Sequence, residues 1–207
     1  PYKNLACNII GFTTDDGENG QTGVEQFYNK SLIGTNGRTY GYLDSDSKLQ
    51  SVIREATDGN SLVTTINYNI QRTVEKYLLE WQTEDVGSKV ASAIVMDPKT
   101  GEILAMASTK QYDLNEPRKL NDAEYPESLL LELGKKEAQI VYKREHENKS
   151  ISLEEVSQYF TQEELLSYGR QAAWNEVWRN PVISDTYEPG STVKPFTIAG
   201  ALEESVI

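Results

Sequence analysis

Asp185-Thr186-Tyr187-Glu188-Pro189-Gly190-Ser191-Thr192-Val193-Lys194-Pro195-Phe196 is the stretch on which the reading of this chain turns. Pro189-Gly190 interrupts whatever comes before it, and residues 197–204 then read as helix. Proline is tolerated only near a helix start, because deeper positions must donate the N–H it lacks. Pro195 therefore predicts a helix origin close to Ser191. The serine hydroxyl is then expected at the positive end of the helix dipole, where developing negative charge is favoured. Lys194, three residues on, is expected on the same face.

That spacing suits nucleophilic chemistry. A serine hydroxyl is a poor nucleophile until a base takes its proton. A lysine can be that base where burial and nearby positive charge keep it neutral part of the time. Ser-x-x-Lys alone is a weak signal, and the chain carries its own control in Ser45-Asp46-Ser47-Lys48. There Asp44 and Asp46 would hold Lys48 protonated, so that copy is read as inert. Ser191 and Lys194 are the candidate catalytic residues.

Working outward, residues 110–180 are charged and helical in character. Ser152-Leu153-Glu154-Glu155 and Thr161-Gln162-Glu163-Glu164 have capping-box spacing, each opening a short helix. Leu129, Leu130, Leu131 and Leu133 predict another helix before them. Residues 90–108 read as a hairpin, Val90–Met96 and Ile103–Ala107 around the turn Asp97-Pro98-Lys99-Thr100-Gly101. Their apolar residues fall at odd and even positions alike, which predicts strands covered on both faces. Ile66, Ile70, Val74, Leu78 and Trp81 recur at helical period behind Asn67, a suitable N-cap. Nearer the start, Asn36-Gly37 predicts a tight hairpin between Leu32-Ile33 and residues 39–43, and residues 62–66 predict a β-branched strand.

Composition narrows the classes. The 207 residues hold 20 Lys and Arg against 32 Asp and Glu, a net charge of −12, which argues against nucleic acid as partner. Hydrophobic residues at 38% and charged residues at 25% are globular proportions. No apolar run approaches the roughly 18 residues of a membrane span. The single cysteine, Cys7, excludes an internal disulfide and is read as a small buried filler. The single histidine, His146, excludes a multi-histidine zinc site and, within a charged run, is read as a surface residue.

The segment around Ser191 resembles the active-serine segment of class B penicillin-binding proteins, the division- and sporulation-type transpeptidases of bacterial cell walls. Residues 93–108, Ala-Ile-Val-Met-Asp-Pro-Lys-Thr-Gly-Glu-Ile-Leu-Ala-Met-Ala-Ser, resemble the first hairpin of their transpeptidase domain. Thr65-Ile66-Asn67-Tyr68-Asn69-Ile70-Gln71 resembles the start of that domain's first helix. Gly23-Val24-Glu25 and Asn36-Gly37-Arg38 are similar to the end of the preceding domain.

The resemblance implies an α+β fold. Residues 1–60 would be the C-terminal part of a β-rich, non-catalytic, dimerisation-type domain. Residues 61–207 would begin the transpeptidase domain, with a helical insertion at about 110–180. It implies a peptidoglycan cross-linking D,D-transpeptidase with an acyl-Ser191 intermediate, Lys194 as base and no cofactor. Its partners would be peptidoglycan stem peptides, β-lactam antibiotics, and a second copy or cell-wall assembly proteins. It would act on the extracytoplasmic face of the bacterial membrane through an anchor outside this chain. The family's two later motifs, Ser-x-Asn and Lys-Thr/Ser-Gly, do not follow Ser191, so the 207 residues alone are expected to be an inactive piece. Lys99-Thr100-Gly101 spells the last motif but precedes the serine, and is read as a turn. A β-lactam-sensing domain and an inert assembly fragment are the alternatives.

Overall fold

The computed structural model describes residues 2–43, 45–46, 49–83 and 90–206. Three short helices open the chain: α1 (Cys7–Ile10), α2 (Gly23–Phe27) and α3 (Asn29–Leu32). An antiparallel pair comes next, β1 (Arg38–Leu43) and β2 (Leu49–Arg54), with Tyr40 opposite Val52 and Arg38 opposite Arg54. One expectation fails here. Leu32 ends a helix, so residues 39–43 pair forward with 49–54 instead of backward across Asn36-Gly37. Among the described residues of this segment, short helices and paired strands stand side by side.

Residues 62–66 do not form the expected strand. Val63 is exposed, while Thr65 Oγ1 and the Asn67 N–H donate to the Ile103 and Leu104 carbonyls of the neighbouring sheet. Helix α4 (Tyr68–Thr83) starts where its cap predicts. Asn67 Oδ1 accepts from the N–H groups of Asn69 (3.0 Å) and Ile70 (3.2 Å), two of the donors a helix start leaves unpaired. The inward face of α4 carries the expected Ile70, Val74 and Leu78, all half-buried, but its fully buried residues are Gln71 and Glu75, and Trp81 is exposed.

The reason lies in the next element. Strands β3 (Ser92–Met96) and β4 (Ile103–Ser108) form the expected antiparallel hairpin, with a bulge between Val95 and Met96. β4 lies against α4, and Gln71 Nε2 donates to the Met106 carbonyl (2.9 Å) while Gln71 Oε1 accepts from the Met106 N–H (2.9 Å). The side-chain amide thereby takes the place of a neighbouring strand for that residue. Burial without those bonds would leave both backbone groups unsatisfied. Coverage on both faces holds for Ala105, Ala107 and Ser108 of β4 and fails for β3, where Ile94 and Met96 are exposed.

Between β4 and the Ser191 segment stands a helical arm. α5 (Glu127–Glu145) packs along α7 (Gln162–Trp178), with the short α6 (Val156–Tyr159) across their far end. Leu130, Gly134 and Ala138 on α5 and Leu165, Gly169 and Ala173 on α7 are buried at four-residue spacing. The spacing gives one face per helix. A side chain at Gly134 would overlap the Leu165 carbonyl, and one at Gly169 the Leu130 carbonyl. The reciprocal bonds of both predicted capping boxes form. Only Thr161 with Glu164 caps a helix, the 17-residue α7, while Ser152 and Glu155 close the turn before α6, whose N-cap is Glu155.

The N-terminal segment folds back onto these elements. Cys7, Phe12 and Tyr112 form a buried cluster with Leu114, Val177 and Trp178 against it. Phe12 meets Trp178 edge-on at 4.8 Å. Cys7 is the buried filler expected of it, and burial pushes its thiol up to about 11.

Candidate active site

Ser191 lies in a 3-10 turn (Gly190–Val193) that runs directly into α9 (Lys194–Glu203). Gly190 takes a positive φ of 56°, a left-handed turn open to glycine at little cost. Pro189 starts the turn, its carbonyl accepting from the Thr192 N–H (3.2 Å) and from Thr192 Oγ1 (2.6 Å). The Lys194 N–H donates to the Ser191 carbonyl. Pro195 occupies the first turn of α9, the position its missing N–H allows. The helix begins at Lys194, close to Ser191 as Pro195 predicts, and the 3-10 turn carries the winding back to Gly190.

Ser191 and Lys194 therefore sit on one continuous helical ramp, with Ser191 just ahead of the first N–H groups of α9. Both are exposed. The apolar residues Phe196, Ile198 and Leu202 of α9 are exposed as well, and α9 packs chiefly against its own 3-10 turn.

The rejected motifs behave as turns and surface. Lys99, Thr100 and Gly101 form the β3–β4 loop, closed by the Gly101 N–H to Asp97 carbonyl bond (2.8 Å) and by the Asp97 N–H to Glu102 carbonyl bond (2.9 Å). His146 is exposed at the end of α5 and stacks on Tyr142. Of the second Ser-x-x-Lys, Ser47 and Lys48 lie outside the described residues. Among the described residues no group of acidic, histidine or cysteine side chains is arranged to hold a metal, and no helix is long and apolar enough to cross a membrane.

Residues 91–207, which include the hairpin, the arm and the Ser191 ramp, match the penicillin binding protein transpeptidase domain. The chain belongs to the penicillin-binding protein transpeptidase family. Among curated relatives, a probable peptidoglycan D,D-transpeptidase PenA of Neisseria gonorrhoeae is 27% identical over 98% of this chain and 26% of its own length. The peptidoglycan D,D-transpeptidase FtsI of Buchnera aphidicola (Schizaphis graminum) is 27% identical over 100% of this chain and 27% of its own length. The chain thus spans about a quarter of the length of the curated relatives it matches. The crystal structure of penicillin binding protein 2X from Streptococcus thermophilus is similar over 55% of this chain and 18% of that chain, at 30% identity and a TM-score of 0.42.

Two features of this family member escape the hydrophobic period of its sequence. Gln71 and Glu75 fall between the apolar positions of α4, yet they hold the hairpin and the N-terminal segment together. Asn180, between Trp178 and Val182, is buried where the arm rejoins the sheet. The signal for it was the Asn-Pro pair, an N-cap with proline at the first helical position of α8 (Pro181–Ser184).

Proposed function

We propose that the protein carrying this chain is a peptidoglycan D,D-transpeptidase that works through an acyl-serine intermediate. Ser191 Oγ attacks the carbonyl of the penultimate D-alanine of a stem peptide, and its proton passes to Lys194 Nζ. The peptide C–N bond breaks and the terminal D-alanine leaves with a proton on its amine. An amine of a neighbouring strand then attacks the ester, forming the cross-link and restoring the serine hydroxyl. A β-lactam takes the first half of this course, its ring C–N bond opening as Ser191 is acylated.

The observation that carries the reading is the placement of Ser191 on a turn leading into the α9 N-terminus, with Lys194 as the first residue of that helix. Family membership supports the same chemistry. Residues 1–60 are assigned to a non-catalytic domain suited to self-association or cell-wall assembly partners. Residues 61–207 are assigned to the start of the transpeptidase domain, with the arm at about 110–180 as an insertion. By this reading the protein works outside the cytoplasmic membrane, in division, elongation or sporulation. The 207 residues alone are proposed to be inactive, because Ser191 and Lys194 stand open to solvent and catalysis of this kind needs a water-excluding site with oxyanion donors.

Fluorescent penicillin tests the reading. The full-length protein should label covalently, and Ser191→Ala should abolish the label. Equal labelling of Ser191→Ala would show that the nucleophile lies elsewhere.

A further inference from the structure

Asn180 sits eleven residues before Ser191, where α7 ends and α8 begins. It is 8% exposed, and its side-chain amide is used on three sides. Oδ1 accepts from the Val182 N–H (3.0 Å), capping α8. Nδ2 donates to the Asn8 carbonyl (3.4 Å) of the N-terminal segment and meets the Met106 sulfur (3.3 Å) on β4. Met106 is itself gripped through its backbone by Gln71. One buried side chain therefore joins the N-terminal segment, the hairpin and the path to the serine.

The short helix capped by Asn180 is itself held in place. α8 packs against β3 and β4, and an ion pair between Arg179 and Asp185 closes over it. The chain leaves this fixed point at Asp185. Six residues then reach Ser191, a span of at most about 20 Å.

We propose that Asn180 is a positioning residue for acylation: through Nδ2 it ties β4 and the N-terminal segment to the stretch of chain that leads to Ser191. The inference rests on the acyl-serine reading above. A displacement of about 1 Å at a reacting centre can cost roughly 100-fold in rate.

The test compares wild-type, Asn180→Ala and Asn180→Ser full-length proteins, with penicillin acylation measured by stopped-flow. The limiting rate constant is read on the molecules that label, so partial unfolding lowers the amplitude without changing the constant. Serine retains an acceptor for the α8 cap and lacks the Nδ2 donor. Thermal stability should therefore recover from Ala to Ser, while the limiting acylation rate stays roughly 10- to 100-fold below wild type in both. The half-saturating penicillin concentration for the first step should change little. A wild-type rate in Asn180→Ser would overturn the proposal, as would an Ala variant that loses amplitude only. Failure of the wild type itself to acylate would remove the reading beneath it, a result distinct from either.

Discussion

The side-chain amide of Gln71 bonds both the N–H and the carbonyl of Met106, each at 2.9 Å, and is itself fully buried. A residue on a helix thus completes the backbone pairing of a strand. Gln71 Nε2 also donates to Glu75 Oε1 (2.7 Å), which accepts in turn from the Ala6 N–H (2.8 Å). Helix, hairpin and N-terminal segment are joined by four hydrogen bonds through two side chains.

Replacing Gln71 by leucine keeps most of the volume and removes every one of its bonds. Each buried group left unpaired costs about 1–3 kcal/mol. Gln71→Leu should lower the unfolding midpoint in urea well beyond an exposed control such as Arg72→Leu. Similar midpoints for the two would mean that the Met106 bonds contribute little.

Glu75 gives the same junction a pH dependence. Burial raises its carboxyl above the ordinary value of 4.5, against the lowering effect of the Gln71 and Ala6 bonds. The folded state therefore holds the proton more tightly than the unfolded chain. The stability this confers is complete below about pH 4.5 and is lost as pH rises through the folded value. Glu75→Gln keeps an oxygen acceptor and cannot ionise. Its melting temperature should not show this fall between mildly acidic and neutral pH, measured by circular dichroism. A wild-type slope in the variant would place the titration elsewhere.

Gly134 and Gly169 each admit the backbone of the facing helix. Gly134→Ala and Gly169→Ala should each loosen the arm, at a cost of several kcal/mol set by overpacking. The double variant should cost less than the sum, because the gap opened by the first admits the second methyl. Hydrogen exchange along α5 and α7 reads the effect locally. Unchanged protection in either single variant would refute the close packing.

Lys194→Ala tests the base. General-base catalysis contributes typically about 10²–10⁴-fold, so penicillin acylation of the full-length variant should slow by that order while the fold is retained. Acylation within a few-fold of wild type would assign the proton to another group.

How far the sequence spoke depended on whether the cue was local. Asn67 as a cap, Thr161 with Glu164 as a capping box, the Asp97–Gly101 loop and Pro195 near a helix start each act within a few residues, and each appears as read. Asn36-Gly37 is also a local cue, but pairing is decided by which strand lies opposite, and residues 49–54 supply it. Hydrophobic period found the inward side of α4 through Ile70, Val74 and Leu78, but it could not show that Gln71 beside them is buried against the Met106 backbone of β4. Gly134 and Gly169 take their role from the Leu165 and Leu130 carbonyls of the facing helix, which no local cue names. At the candidate site, the Ser191 turn and the α9 start were legible, and the anchoring Asn180 was not, since its partners lie 74 and 172 residues away.

Everything proposed for the active site depends on Ser191 being the residue acylated. Peptide mapping by mass spectrometry after penicillin treatment of the full-length protein tests it most directly. One penicilloyl adduct on Ser191, absent from Ser191→Ala, is the predicted result; an adduct on any other residue, or an unchanged yield in Ser191→Ala, would contradict it.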